Sequence, residues 1–473
     1  MQPLKLSKAD LIACEKELCK RSLVEFIKRA WHVLEPGNPY IHGWHVDALA
    51  EHYEAVTSGE INRMVVNIPP GCMKSSIANI YWPAWEWGPK GMAHIKFIGA
   101  SHERGLAIRD SRLMRILIES DWYQERWPTK LNHDQNEKLF YGNAANGFRM
   151  AAAVKSTTGR RADRVVWDDP LSISGGLSKV DRDSAILTLT ETLPTRVISP
   201  EKSFIGLIMQ RIHEEDPSGY ILEHLPDWVH LCLPMEYDPS RAKTTVIGFK
   251  DPRTEEGELL FPERFPREVV ERDKNVMGSY AVAGQFQQTP MPRNNGFFDW
   301  EKLEIVRAAP EIARPVRYWD KAGTQDGGCR TAGVKLGICP NGVVYILDVV
   351  IGQWSAAKRE AVILQTAQTD GRDTTIWIEE EGGSGGKESA EATIKNLTGF
   401  VCKSDRPTGD KEVRAEPYAV QVEIGNVKLV EGAWNKEYID EHKSFPRGKF
   451  KDQIDATAGA FAKVSRRKTA GVF

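Results

Sequence analysis

The chain has 473 residues, 41% of them hydrophobic and 27% charged, with a formal net charge of −2. Such a length predicts two or three domains and a core that needs neither disulfides nor a structural metal. The composition excludes a mostly disordered chain; no uncharged apolar run approaches the ~18 residues of a membrane span, and Met1–Lys20 has no signal-peptide core.

The seven cysteines are scattered, odd in number and without C-x-x-C spacing. That pattern predicts reduced thiols rather than a secreted disulfide scaffold. Lys+Arg and Asp+Glu number 37 and 40 up to residue 300, and 26 and 25 after it. Neither part is basic in bulk, so any contact with nucleic acid must use a local patch.

The N-terminal part, 1–290, opens with a helical segment and then alternates strands with helices, the signature of a parallel α/β sheet. Arg63–Ile68 is an apolar, β-branched strand ending at Pro-Pro-Gly, followed by a helix from Lys74 to about Trp85. His94–Ala100 is a second strand. Glu103–Ser120 is an amphipathic helix with Leu106, Leu113, Ile116 and Leu117 on one side. Phe148–Val154, Arg164–Trp167 and Ser203–Met209 are further strands. From about Pro234 the regularity is broken by prolines, and 291–299 has the composition of a linker. The part from 300 to 473 has another order. Val316–Trp319 is a strand leading to Asp320, and Thr331–Ile338 and Val343–Val350 form a hairpin around Pro340-Asn341-Gly342. A helix (Ser355–Thr369), a strand (Thr375–Glu379), a helix (Lys387–Leu397), a strand (400–403), a helix (411–422), a strand (427–430) and two helices follow, which makes a mixed sheet.

Pro69, Pro70, Gly71, Cys72, Met73, Lys74 and Ser75 join a buried strand to a helix, the place where backbone N–H groups and a helix N-terminus hold a triphosphate. Lys74 is then the partner of the β/γ-phosphates of ATP, and Ser75 a ligand of Mg²⁺. Ile68 and Met73 stand where the usual G-x-x-x-x-G-K-[ST] pattern has glycine, and Gly71 can supply the turn instead. The strand Arg164–Trp167 ends in Asp168 and Asp169, the first suited to hold Mg²⁺ and the second to polarise the attacking water. Gln210, ending the strand Ser203–Met209, is a candidate γ-phosphate sensor. Trp44 and His45 are candidates for the adenine side, with a core tryptophan and a surface histidine as an equal explanation.

In the C-terminal part, Asp320 and Glu379 end two strands, while Asp452 and Asp455 lie three apart on the last helix and can share a face. Acids converging on one sheet edge repel one another unless cations sit between them. Two-metal phosphodiester cleavage, with Mg²⁺ or Mn²⁺, has this requirement. The choice between Asp452 and Asp455 stays open, and Asp326, Glu380 and Glu381 are nearby spares. Gly382–Lys387 lacks phosphate-loop spacing and is read as a turn where a DNA backbone could approach. Lys411, Arg414 and the tail Lys463, Arg466, Arg467 and Lys468 are basic.

Taken together, PPGCMKS, PAWEWG (83–88), RVVWDDP (164–170), QRIHEEDPSG (210–219), LLFPERFP (259–266), RYWDKAG (317–323), IEEEGGSGGK (378–387) and DQIDA (452–456) resemble the large terminase subunit of tailed bacteriophages. The resemblance implies an ASCE-type P-loop NTPase followed by an RNase H-like nuclease. It implies a motor that pumps double-stranded DNA through a portal into a procapsid, and a metal-dependent endonuclease that cuts concatemers. It further implies a small terminase subunit as partner, a ring (a pentamer) on the procapsid, action in the host cytoplasm, and absence from the mature virion. Phosphate contacts fall on Gly71 to Ser75, Mg²⁺–ATP on Asp168, and nuclease metals on Asp320, Glu379 and Asp452 or Asp455. The chain departs from many members in having no arginine near Pro70–Cys72, and Lys451 where they carry Asp. A charge-stabilising arginine must then come from elsewhere, with Arg104, Arg109, Arg112, Arg160 and Arg161 as unranked candidates. Two alternatives stand beside this reading: another DNA-processing ATPase–nuclease of helicase or transposition type, and a non-enzymatic DNA-binding or assembly factor.

Overall fold

The computed structural model describes residues 7–153, 159–290, 296–312, 314–321, 330–380, 384–446 and 448–465. Asp326, Glu381, Gly382, Gly383, Arg466, Arg467 and Lys468 lie outside them. The chain divides into two compact units, Met1–Met291 and Pro292–Phe473. No helix among the described residues is long and apolar enough to cross a membrane.

In the first unit three helices, Lys8–Arg21, Leu23–Leu34 and Trp44–Ser58, precede the sheet. Ser7 and Ser22 cap the first two by accepting from the Asp10 and Glu25 amides, which satisfies N–H groups that a helix start leaves unpaired. The strands are β1 (Arg63–Asn67), β2 (Lys96–Ser101), β3 (Leu131–Asn136), β4 (Phe140–Asn143), β5 (Phe148–Ala153), β6 (Arg164–Asp168), β7 (Phe204–Met209) and β8 (Val229–Cys232). They lie in the order β3-β4-β5-β2-β6-β7-β1-β8. From β5 to β8 every neighbouring pair is parallel, and the β3–β4–β5 edge is antiparallel.

Alternation along the strands feeds two cores. Met64 and Val66 join one, with Phe204 and Ile208; Val65 joins the other, with Ile205, Leu207 and Met209. A strand with no polar face is what a sheet covered on both sides requires. The helix after β1 is continuous but contains a π turn, Ile77–Tyr81, between Lys74–Ser76 and Trp82–Trp87. It is anchored by three buried tryptophans. Trp82 Nε1 donates to Thr57 Oγ1 (2.9 Å), Trp85 Nε1 to the Cys19 carbonyl (2.6 Å) and Trp87 Nε1 to the Ile95 carbonyl (2.9 Å). Glu86, fully buried on the same helix, pairs with Arg164 at the start of β6 (3.1 Å) and accepts from the Thr57 hydroxyl (2.7 Å). The phosphate-loop helix is thereby tied to the strand that carries Asp168.

In the second unit, β9 (Glu304–Val306), β10 (Val316–Asp320), β11 (Thr331–Ile338), β12 (Val344–Gly352), β13 (Thr375–Glu379), β14 (Cys402–Asp405) and β15 (Val427–Val430) form a mixed sheet ordered β14-β13-β10-β11-β12-β15-β9. β11 runs antiparallel to both of its neighbours, β10 and β12, whereas β13 joins β10, and β14 joins β13, in parallel. Tyr318 and Trp319 serve the cores on opposite faces. Helix Asp452–Ser465 packs across β10 and β11. It comes close because Gly459 lies over Tyr318: a Cβ there would stand 2.4 Å from the Tyr318 ring.

The stretch 291–299 looked like a linker from composition, and 291–295 lie outside the described residues. At the end of this stretch Phe298 is fully buried in the second core, with Phe445 and Tyr418 beside it, which anchors it to the second unit.

Candidate active sites

In the first unit the loop 68–73 leaves β1 and delivers Lys74 to a helix start. Gly71 (φ 79°) and Met73 (φ 60°) are both left-handed. Gly71 is thus the turn residue that the spacing suggested. Met73 adopts, with a side chain, a conformation that glycine takes without cost. The second departure from the usual pattern is therefore one of residue type and not of backbone path.

Because β7 lies between β1 and β6, the phosphate loop, Gln210 and the Asp168–Asp169 pair all emerge from the same edge of the sheet. Lys74, 7% exposed, places Nζ 2.9 Å from Asp169 Oδ2. Burial works against the lysine's charge, but Asp169 and then Asp168 outweigh it, and its pKa is raised. The Asp168 carboxyl is pushed up to about 7 by burial and by Asp169; Lys74 and the neighbouring Ser75 hydroxyl oppose this. Asp168 Oδ2 accepts from Asn79 Nδ2 (3.3 Å), whereas its buried Oδ1 has no partner among the described residues. Asp169 turns back sharply (φ 41°). Its N–H donates to the Ile208 carbonyl (2.8 Å), and its own carbonyl faces His102 Nδ1 (2.7 Å).

Gln210 directly follows β7 and buries an Oε1 that has no partner among the described residues. The next amide, of Arg211, donates to Gln288 Oε1 (2.9 Å). His45 is not on the surface. It is fully buried, with its ring 4.6 Å from that of Phe261. Trp44 stacks on Phe249, and the Arg253 guanidinium lies over the Trp44 ring (5.2 Å). Among the candidate arginines, Arg109 is paired with Asp110 (2.8 Å) and Arg160 lies over the Phe140 ring (3.9 Å), while Arg104, Arg112 and Arg161 are exposed. Asn79 was missed from sequence. Its signal was a lone amide inside the apolar run IANIYW.

In the second unit Asp320 ends β10 and Glu379 ends the adjacent, parallel β13. Asp455, 1% exposed, faces them from the last helix. Burial, then Glu379 and Asp455, drive the Asp320 pKa well above the usual carboxylate range. Burial also raises Glu379 and Asp455, against the pull of Arg414 and Lys411 respectively. Two cations of helix Lys411–Glu423 stand among these acids. Lys411 pairs with Asp455; Arg414 Nη2 lies 3.2 Å from Asp455 Oδ1, and Nη1 3.6 Å from Glu379 Oε1.

Asp452 is held differently. Its Oδ2 accepts from the Arg330 amide (3.1 Å) and lies 3.6 Å from Arg330 Nε. Asp405, at the end of β14, was missed from sequence. Tyr318 hydroxyl sits between it (2.9 Å) and Glu379 (3.2 Å), and Lys463 pairs with it. Glu380 ends the same strand region as Glu379, where its amide donates to the Asp405 carbonyl (2.7 Å). Among the described residues no three His, Cys, Asp or Glu side chains are placed to hold a metal ion. As arranged, the compensating charges are Lys411 and Arg414.

Residues 317–463 match the family model of the terminase RNaseH-like domain. No curated protein matches the chain by sequence. Among solved structures it is similar to the large terminase of bacteriophage HK97, at 13% identity over 87% of this chain and 90% of that one, with a TM-score of 0.35. The ATPase domain of the Thermus phage P74-26 large terminase, in a variant form, matches at 11% identity over 54% of this chain and 95% of that one, with a TM-score of 0.35. The magnesium-bound nuclease of the large terminase from thermophilic phage G20c matches at 13% identity over 36% and 99%, with a TM-score of 0.27. With TM-scores this low, the assignment rests on the family model and on the acid-bearing strands beneath it. The stretch 317–463, with Asp320, Glu379, Asp452 and Asp455 inside it, matches the terminase RNase H-like domain, and the resemblance to large terminase subunits is supported there.

Proposed function

We propose that the chain is a viral DNA-packaging motor: an ATPase that drives double-stranded DNA through a portal, joined to an endonuclease that cuts concatemers to begin and end packaging. The observation that carries the proposal is the conjunction, in one chain, of the Lys74–Asp169 pair on a parallel sheet with a terminase RNase H-like domain. On this reading residues 1–290 are the motor, 291–299 the linker and 300–473 the nuclease.

Asp168 Oδ1, buried and without a protein partner among the described residues, suits a divalent cation, and the Ser75 hydroxyl beside Asp168 suits the same ion. Ser75 and Asp168 would hold it. When bound, Mg²⁺ neutralises charge on the β- and γ-phosphate oxygens of ATP. Lys74 would turn to those phosphates, and the backbone of Gly71 to Lys74 would cradle them. Asp169, released from Lys74, would orient the attacking water and accept its proton at a carboxylate oxygen. Gln210 would report on the γ-phosphate from the neighbouring strand end.

In the nuclease the donors are all carboxylates, the ligands that Mg²⁺ and Mn²⁺ take. Asp320, Glu379 and Asp455 are the proposed ligands, with Asp452 in support. Lys411 and Arg414 stand between these acids, so metal loading requires them to move. Near-neutral bulk charge supports weak, salt-sensitive DNA binding by a single subunit and stronger binding in a ring, where weak contacts multiply. The ring, which the family resemblance makes a pentamer, the portal and the small subunit as partners, and the host cytoplasm as location belong to the same proposal. An ATP-driven packaging assay with purified procapsids tests it. DNA-stimulated ATPase and cleavage activity that never responds to portal-bearing procapsids would point to another DNA-processing ATPase–nuclease. Absence of both activities would leave an assembly factor.

A further inference from the structure

Behind the Asp168 carboxylate runs a buried relay that nothing in the phosphate-loop pattern requires. Arg149, on β5, is 1% exposed and Asn79, in the π turn, is 3% exposed. Arg149 Nη2 donates to Asn79 Oδ1 (3.1 Å) and lies 3.4 Å from the Asn79 carbonyl; Asn79 Nδ2 donates to Asp168 Oδ2 (3.3 Å). The guanidinium fixes which end of the amide faces the acid: Oδ1 is engaged by Arg149, so only Nδ2 can turn to Asp168. One carboxylate oxygen is thereby occupied and the other, Oδ1, is left without a partner among the described residues.

Two features show that the fold makes room for this arrangement. β2 passes Arg149 with Gly99, where a Cβ would stand 2.2 Å from Nη2. The helix that carries Asn79 departs from α geometry at that turn, and such π turns cluster at functional sites. Burying a guanidinium is costly unless its hydrogen bonds and counter-charges are in place. Asp110, 3% exposed on helix Arg104–Glu119, interacts electrostatically with Arg149 and supplies part of that compensation.

We infer that Asn79 and Arg149 are positioning residues, which hold Asp168 with its Oδ1 directed to the cation of a bound nucleotide. The inference rests on the ATPase reading above. Outer partners of a metal-holding group are worth roughly 10- to 100-fold in metal affinity. The full chain is titrated with a fluorescent ADP in EDTA and again in Mg²⁺, and the ratio of the two dissociation constants is the readout. Asn79→Ala should leave the affinity in EDTA near wild type and shrink the Mg²⁺-dependent gain by roughly tenfold or more. The double variant Asn79→Leu/Arg149→Met removes both polar partners together and should show the same loss; thermal melting reports that it is folded. A wild-type ratio retained in the folded double variant overturns the relay alone. A wild-type chain that binds no nucleotide overturns the ATPase reading and the relay with it.

Discussion

Replacing Asp455 with Asn keeps the side chain's shape and removes one charge from the nuclease cluster. Two stability effects oppose each other. The carboxylate loses charge-assisted contacts to Arg414 (3.2 Å) and Lys411. The first is worth about 1.5–3 kcal/mol when buried. The second, made by a lysine whose side chain is 47% exposed, is screened to about 1 kcal/mol or less. Against this, Asp320 and Glu379 are relieved of a like charge that raises their pKa values. The net cost therefore stays below the roughly 4 kcal/mol of the two contacts together, a fall in melting temperature of less than about 16 °C for a domain of this size. The chemistry should suffer more. Since loss of a mere outer partner costs about 10–100-fold, loss of a donor group should take plasmid cleavage below about one-hundredth. Asp452→Asn should behave otherwise, because its Oδ2 is committed to the Arg330 amide. It loosens an anchor and lowers cleavage partially. The assay is nicking of supercoiled plasmid in Mg²⁺ or Mn²⁺, with ATPase turnover and melting followed in the same preparations. A folded Asp455→Asn that cuts within a few-fold of wild type refutes the assignment, as does loss of cleavage in Asp452→Asn alone.

Lys74→Ala should abolish ATP turnover and spare plasmid cleavage, and Asp169→Asn should bind nucleotide yet hydrolyse it slowly; normal turnover in the first, or lost binding in the second, counts against the roles given to them. Glu86→Ala strands Arg164 in the core and should cost about 3–5 kcal/mol by denaturant unfolding, whereas a change under about 1 kcal/mol would mean the pair is not buried as described. His442, held among the rings of Phe298, Tyr418 and Tyr438, is lowered by burial from 6.5 to about 4. Below pH 6.5 the unfolded chain takes up a proton that the folded chain refuses, so this group's contribution to stability falls by up to about 3 kcal/mol as the pH drops towards 4. His442→Gln should therefore flatten the acid side of the melting-temperature profile, and an unchanged slope between pH 7 and 5 refutes the linkage.

The elements legible in the sequence were those with a strong period or a clear stop. β1, β6, β7, β10, β11, β13 and β15 are apolar runs that end at a turn, an acid or, in β7, at Gln210, and their bounds differ from the sequence reading by at most one residue. What escaped was short or exposed. The β3–β4 hairpin, β8 and β9 carry three to six residues with little alternation, and pairing with neighbours, not local pattern, makes them strands. Site residues followed the same division. Strand-end acids announce themselves because a carboxylate after an apolar run has few structural uses. Asn79 and Arg149 do not, since an amide in a helix and an arginine in a strand are ordinary in sequence. Only the strand order β5-β2-β6 brings them beneath Asp168. Lys411 and Arg414 were visible as basic residues, but their placement between Glu379 and Asp455 depends on two helices packing together.

The two units meet the same electrostatic difficulty in the same way. Each gathers carboxylates at a buried sheet edge, where unpaired ionised acids are untenable, and each supplies its own cations: Lys74 for Asp169, Lys411 and Arg414 for Asp455 and Glu379. An acid so paired is a poor base and a poor ligand. Its partner must find a better anion before the acid is free to act. On the proposed reading, nucleotide phosphates would be that anion in the first unit, and they would release Asp169 only when there is something to hydrolyse. In the nuclease, a DNA phosphodiester and incoming divalent cations would together displace Lys411 and Arg414. Coupling chemistry to substrate arrival then follows from charge balance within each unit, without requiring a signal to pass between them.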